Sequence, residues 1–200
     1  MHVERAEHWK RWGPVYWSVW LYRTTMTALR PQGRGKMYRL LADEISERSL
    51  LDLCCGDAEL TRWVPQNRYM GIDKNPIFIK HVRQRSISII EGDVLEVSWP
   101  PMDCLVMTDS LYQFLPDPRL LMDKILSYPC TRVIISESVD NLASSSFGWV
   151  TKCAEWATRV NGRSHRERFT DDSLRAFFNR YGFQRIIRTD KNLIGVLEKP

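Results

Sequence analysis

Two hundred residues with 44% apolar and 26% charged content can bury one substantial core, and this composition excludes a disordered or fibrous chain. The formal net charge of +5 is compatible with nucleic acid, anionic lipid or acidic metabolites and selects none of them. No apolar run approaches the length of a bilayer span, and the charged start MHVERAEHWKRW lacks the apolar centre of a signal peptide. A cytoplasmic protein is therefore expected. Its five cysteines are read as reduced thiols: Cys54 and Cys55 are adjacent, and Cys104, Cys130 and Cys153 are scattered as small buried hydrophobes, without metal-type pairing. No metal is expected.

Residues 4–47 read as helices, broken at Gly13-Pro14 and ended a second time by Pro31, Gly33 and Gly35. Trp9, Trp12, Tyr16, Trp17, Trp20 and Tyr22 crowd into this region. They suit a lid over an apolar pocket or an interfacial anchor; plain packing on the core weighs as much as those two together. Met37, Leu40, Leu41 and Ile45 then form one apolar helical face. From Ser49 the pattern alternates. Strands are expected at 49–53, 69–73, 87–91, 103–108 and 132–137, separated by helices at 58–64, 76–85 and 118–127, which implies parallel pairing with right-handed crossovers.

Residues 141–169, with Trp149 and Trp156, break this rhythm and are expected to make an excursion over the sheet edge. A helix follows, capped by Thr170, favoured by Asp171 and Asp172 in its first turn and ended by Gly182, with Leu174, Phe177, Phe178 and Tyr181 as its buried stripe. FQRIIR and LIGVLE, joined by a short polar loop, make an antiparallel hairpin. The whole reads as a single α/β domain, with residues 1–47 as a helical cap and 48–200 as the core, from which 141–169 makes its excursion.

The most informative stretch is SLLDLCCGDAEL, residues 49–60. An apolar run ends through Asp52, turns at Cys54-Cys55-Gly56 and restarts at Ala58. A strand, tight turn and helix start present backbone N–H groups to a ligand at the carboxyl edge of a sheet. Asp73 closes the next apolar run, at about the 20-residue spacing that separates a nucleotide-binding turn from a ribose-holding carboxylate.

Five alternating β/α units and a terminal hairpin resemble the class I S-adenosylmethionine-dependent methyltransferases over residues 35–199. That resemblance implies a Rossmann-like, seven-stranded, mostly parallel sheet. The family's G-x-G-x-G turn reads Cys54-Cys55-Gly56-Asp57-Ala58 here, and the double cysteine is similar to a variant in ubiquinone/menaquinone methyltransferases. Ala58 fits a close backbone approach if its φ is negative. The resemblance implies S-adenosylmethionine as cofactor, with Cys54, Cys55 and Gly56 in the turn and Asp52 orienting the turn or the donor's ammonium. In GIDKNP, Asp73 takes both ribose hydroxyls beside Lys74. In EGDVLE, Asp93 accepts from the adenine amino group, with the Val94 backbone beside the ring. Thr108, Asp109 and Tyr112, in the segment leading to YQFLPDP, lie along the methionine portion and the methyl group. The three-glycine dinucleotide turn and the G-x-x-x-x-G-K-[ST] loop are both absent.

Methyl transfer from a sulfonium is an in-line displacement, so catalysis is mostly alignment. Tyr112 is the aromatic candidate for the sulfonium; packing at the strand end has equal weight. His165, Tyr112 and Glu137 are the candidate bases, against a surface role for His165 and a backbone-bonded role for Glu137. The expected acceptor is a small, aromatic or lipophilic molecule, because no [DNS]-P-P-[YFW] sequence occurs and Pro129-Cys130 falls before the fifth strand. Nucleic acid is not expected, and a membrane surface is a weaker partner. Arginine-rich groups (Arg23, Arg30, Arg34, Lys36 and Arg39; Arg159, Arg163, Arg166 and Arg168) read as solvated faces. The alternatives are an RNA or protein methyltransferase using these charges, or a non-catalytic module of the same fold.

Overall fold

The computed structural model describes residues 12–29, 33–139 and 167–200. The expected excursion falls almost entirely outside these residues, with Trp149, Trp156, Cys153 and His165. Seven strands form one sheet in the order β3-β2-β1-β4-β5-β7-β6: β1 Leu50–Leu53, β2 Tyr69–Asp73, β3 Ile89–Glu91, β4 Cys104–Thr108, β5 Arg132–Ser138, β6 Arg185–Arg188 and β7 Asn192–Glu198. β1 pairs in parallel with both β2 and β4, and only β7 runs against its neighbours. The chain moves outward from β1 to β2 and β3, then crosses back to β4 on the other side. This reversal opens a crevice at the carboxyl ends of β1 and β4, where open α/β sheets bind ligands.

Among the described residues the α-helices are α1 Val19–Leu29, α2 Gly33–Ile45, α3 Pro76–Gln84, α4 Arg119–Ser127 and α5 Asp171–Arg180. All four residues of β1 are buried, as expected of a central parallel strand covered on both faces. Leu51 and Leu53 point into a core shared with Leu121, Met122 and Ile125 of α4 and Leu174 and Phe178 of α5. Leu50 points into the opposite core, with Met37, Leu41 and Ile45 of α2 and Val82 of α3. The period of two along the strand divides these layers.

Local chemistry starts the helices. The Asn75 side chain accepts from the Ile77 N–H at 2.9 Å, with Pro76 in the first turn of α3. Thr170 and Ser173 form a reciprocal capping box at α5. Two local expectations change. The 58–64 segment is only a 3₁₀ turn at Glu59–Arg62, because it starts from a left-handed Ala58 and soon meets Pro65. Gly33 lies at the start of α2 and Gly35 within it, so the second helix has already ended by Leu29. Cys104 and Cys130 are buried, as expected. Among the described residues no helix is long and apolar enough to cross a membrane.

Candidate active site

The turn after β1 is left-handed at every second residue: φ is +56° at Cys54, +57° at Gly56 and +52° at Ala58. The condition of a negative φ, on which Ala58 was to fit a close backbone approach, is not met. The backbone keeps the shape of a glycine-rich turn with glycine at its middle position only. Left-handed backbone costs a residue bearing a Cβ about 1–2 kcal/mol, so contacts must hold it. The Gly56 N–H donates to Asp73 Oδ2 at 2.8 Å, and the Asn75 N–H donates to Asp73 Oδ1 at 2.8 Å. Asp57 is buried, and its carboxylate accepts from Arg23 Nε of α1 at 2.6 Å. Arg85, just past α3, donates to the Asp57 carbonyl at 3.0 Å and to Thr61 Oγ1 at 3.1 Å. A Cβ on Gly71 would lie 2.6 Å from Cys55 Sγ, so glycine at that position of β2 is what admits the turn. Burial pushes the Cys54 and Cys55 thiols well above their usual range, which makes them neutral packing groups and not nucleophiles.

The crevice beside this turn brings Asp52, Cys54, Cys55, Gly56, Asp73, Lys74, Asp93, Val94, Thr108 and Asp109 into one lining. Burial pushes the Asp52 carboxyl up to about 7, against the hydrogen bond it accepts from the Tyr69 hydroxyl at 2.8 Å. Burial also raises Asp73, opposed by the N–H groups of Asn75 and Gly56. Asp93 behaves differently. Burial pushes it up, but Lys74 Nζ at 2.7 Å and the Leu95 N–H at 3.0 Å outweigh that and hold it below the usual carboxylate range. The Thr108 hydroxyl is buried without a hydrogen-bond partner. Asp109, itself left-handed with φ +50°, accepts from Asn192 Nδ2 of β7 at 2.8 Å.

An aromatic roof covers the turn. Trp12, Tyr16 and Tyr22 from the N-terminal segment line the crevice with Tyr38 of α2, Phe78 of α3 and Phe114. Tyr22 meets Phe78 edge-on at 4.9 Å between ring centroids, and Tyr16 stacks on Tyr22 at 6.0 Å. Trp20 faces solvent.

The candidate catalytic residues divide. Tyr112 and Glu137 stand behind the crevice and not in its lining. Glu137 Oε2 accepts from the Tyr112 N–H at 3.1 Å and Oε1 from the Ser138 N–H at 2.9 Å. Burial, with Asp109 nearby, pushes its carboxyl up to about 8. The Tyr112 ring is covered by the Arg168 guanidinium, 3.8 Å from its centroid, and its hydroxyl shares a hydrogen bond with Tyr16. Burial raises the Tyr112 phenol. His165 lies outside the described residues. Arg23, Asp57, Arg85 and Tyr69 support the site without having been assigned a role from the sequence. Only Asp57, inside the turn motif, carried a signal; the others pair across the fold without any periodic trace.

Comparison with protein families matches residues 29–187 to the family described as "Methyltransferase domain". Among solved structures, the chain is similar to the 16S rRNA methyltransferase RmtF in complex with S-adenosyl-L-homocysteine, at 15% identity and TM-score 0.60, covering 88% of this chain and 65% of that one. It is also similar to an S-adenosylmethionine-dependent methyltransferase from Thermotoga maritima, named a possible histamine N-methyltransferase, at 13% identity and TM-score 0.56, covering 82% and 88%. A third is magnesium protoporphyrin IX methyltransferase from Synechocystis with bound S-adenosyl-L-homocysteine, at 12% identity and TM-score 0.57, covering 82% and 83%. The chain thus spans less than two thirds of the RmtF chain. No curated protein matches its sequence. These names include rRNA and small-molecule enzymes alike, so the expectation against nucleic acid has no support. With the match extending over most of its length, this chain belongs to the methyltransferase-domain family.

Proposed function

We propose that the crevice binds S-adenosylmethionine and that the protein transfers its methyl group to a small aromatic or lipophilic acceptor beneath the aromatic roof. The observation that carries this reading is the convergence of Gly56, Asp73 and Asp93 on one crevice, at the carboxyl ends of adjacent strands. The residues present fit the cofactor. The Asp73 oxygens accept the Gly56 and Asn75 N–H groups and keep lone-pair capacity for a ribose hydroxyl. Asp93, held ionised by Lys74, is an acceptor for an adenine amino group. The unpartnered Thr108 hydroxyl supplies a polar contact toward the methionine portion. The cofactor brings a methyl group already activated on a sulfonium.

The chain's own work is alignment and exclusion of water, which supply effective molarities of about 10⁵–10⁸ M. Tyr16, Tyr22 and Phe78 enclose the crevice and offer aromatic faces to a cation. Glu137, its carboxyl raised by burial and bonded to the Tyr112 backbone N–H, holds the turn after β4. A second reading, RNA as the acceptor, draws on the likeness to RmtF. The test is transfer of a labelled methyl group from S-adenosylmethionine to a panel of aromatic hydroxy and amino compounds and to ribosomal RNA. Label in a small aromatic compound supports the first reading. Label confined to RNA replaces it with the second.

A further inference from the structure

The turn that forms one wall of the crevice has a feature its sequence does not explain. Cys54 and Ala58 carry side chains, yet both are left-handed. Such backbone persists only where its surroundings over-determine it. On the inner side, Asp73 holds the Gly56 N–H. On the outer side the grip falls on Asp57, the residue between Gly56 and Ala58. Its carboxylate, almost completely buried, accepts from Arg23 Nε at 2.6 Å, and Arg23 Nη2 approaches Glu59 Oε2 at 3.8 Å. Arg23 therefore spans both flanks of Ala58. It reaches there from α1, the helix that also delivers Tyr22 to the crevice. The Tyr22 hydroxyl lies 3.8 Å from where a Cβ on Gly56 would stand.

We infer that Arg23 is a positioning residue for the methyl donor: acting through Asp57, it holds the turn in its left-handed form in place of the missing glycines, and so makes donor affinity depend on the N-terminal helix. This rests on the assignment of the crevice to S-adenosylmethionine. A turn left to relax at Ala58 displaces the crevice wall that Cys54, Cys55 and Gly56 form, whereas glycine at that position is left-handed without a Cβ penalty. Linkage makes the effect reciprocal: a donor that favours the held turn also favours docked α1.

The test is calorimetric titration of S-adenosylhomocysteine into the full-length protein, Arg23→Gln, Ala58→Gly and the double variant, with thermal melting to establish that each is folded. Arg23→Gln is expected to weaken binding by about tenfold, as for loss of a hydrogen bond to a charged group. In the Ala58→Gly background the same change is expected to cost less than about threefold, because interacting sites are non-additive. Arg23→Lys, which keeps the charge and loses the planar fork, serves the same comparison if Arg23→Gln does not fold. Wild-type affinity in the Arg23 variants, or an equal loss in both backgrounds, overturns the inference. Failure of the wild-type protein to bind S-adenosylhomocysteine overturns the donor assignment instead.

Discussion

The carboxylate of Asp73, at the end of β2, accepts the Gly56 N–H at 2.8 Å, so the acidic end of one strand holds the turn that follows its neighbour. Asp73 thereby has a structural task beside the proposed ribose contact. Asp73→Ala leaves the Gly56 and Asn75 N–H groups without their acceptor, at about 1–3 kcal/mol for each buried group. Urea denaturation is expected to show that loss, and calorimetry a fall of at least about tenfold in S-adenosylhomocysteine affinity. Asp73→Asn keeps one oxygen, so its stability loss should be smaller while its affinity loss persists.

Backbone conformation at the turn gives an opposite pair of effects. Ala58→Gly relieves left-handed strain at φ +52° and should stabilise the fold by about 1 kcal/mol. Gly71→Ala places a methyl group 2.6 Å from Cys55 Sγ and should destabilise by about 1–3 kcal/mol through overpacking. Urea midpoints of the two variants, at constant m-value, check both signs.

Stability should fall as pH rises across neutrality. The Asp52 carboxyl stands at about 7 against an ordinary 3.8, and Glu137 at about 8 against 4.5. Both are raised, so between these values the folded protein retains protons that the unfolded chain has released. Below the unfolded values neither group contributes. Between about pH 4 and pH 8 each increasingly penalises folding, and above the folded values the penalty is complete. Asp52→Asn keeps an oxygen for the Tyr69 hydroxyl and removes one of the two titrations. Its urea-derived stability should therefore decline less from about pH 5 to pH 8 than that of the wild type.

Tyr112 is expected to act by position and not as a base. Arg168 covers its ring at 3.8 Å, and burial raises its phenol. Tyr112→Phe removes the hydrogen bond to Tyr16 and should lower kcat by less than about tenfold, well short of the 10²–10⁴-fold typical of a lost general base. Single-turnover methyl transfer distinguishes the two outcomes.

Strand placement was legible because LLDL, YMGID and CLVMT are short apolar runs, the pattern of strands in a sheet covered on both faces, and each is too short for a buried helix. The capped start of α5 was legible for an equally local reason, since Thr170 and Ser173 bond within one turn. The φ of Ala58 was not. Local preference favours a negative value, and contacts from Asp73 and Arg23, distant in sequence, override it. Residues 58–64 misled by composition: ELTRW has helix-forming residues, but a left-handed start and Pro65 leave space for a single 3₁₀ turn. Arg23 was hidden among N-terminal charges that read as a solvated face. Its partner Asp57 lies 34 residues away, a separation at which charge carries no periodic signal. The turn, Asp73 and Asp93 were identified by order and spacing; what clamps the turn emerged only once the chain was folded.

The most direct measurement is a crystal structure of the protein with S-adenosylhomocysteine. The expected result has both ribose hydroxyls on Asp73, the adenine beside Asp93 and Val94, and the sulfur facing the segment from Thr108 to Phe114. An adenosyl group bound away from Gly56, with Asp73 contacting backbone N–H groups alone, contradicts the placement of the methyl donor in this crevice.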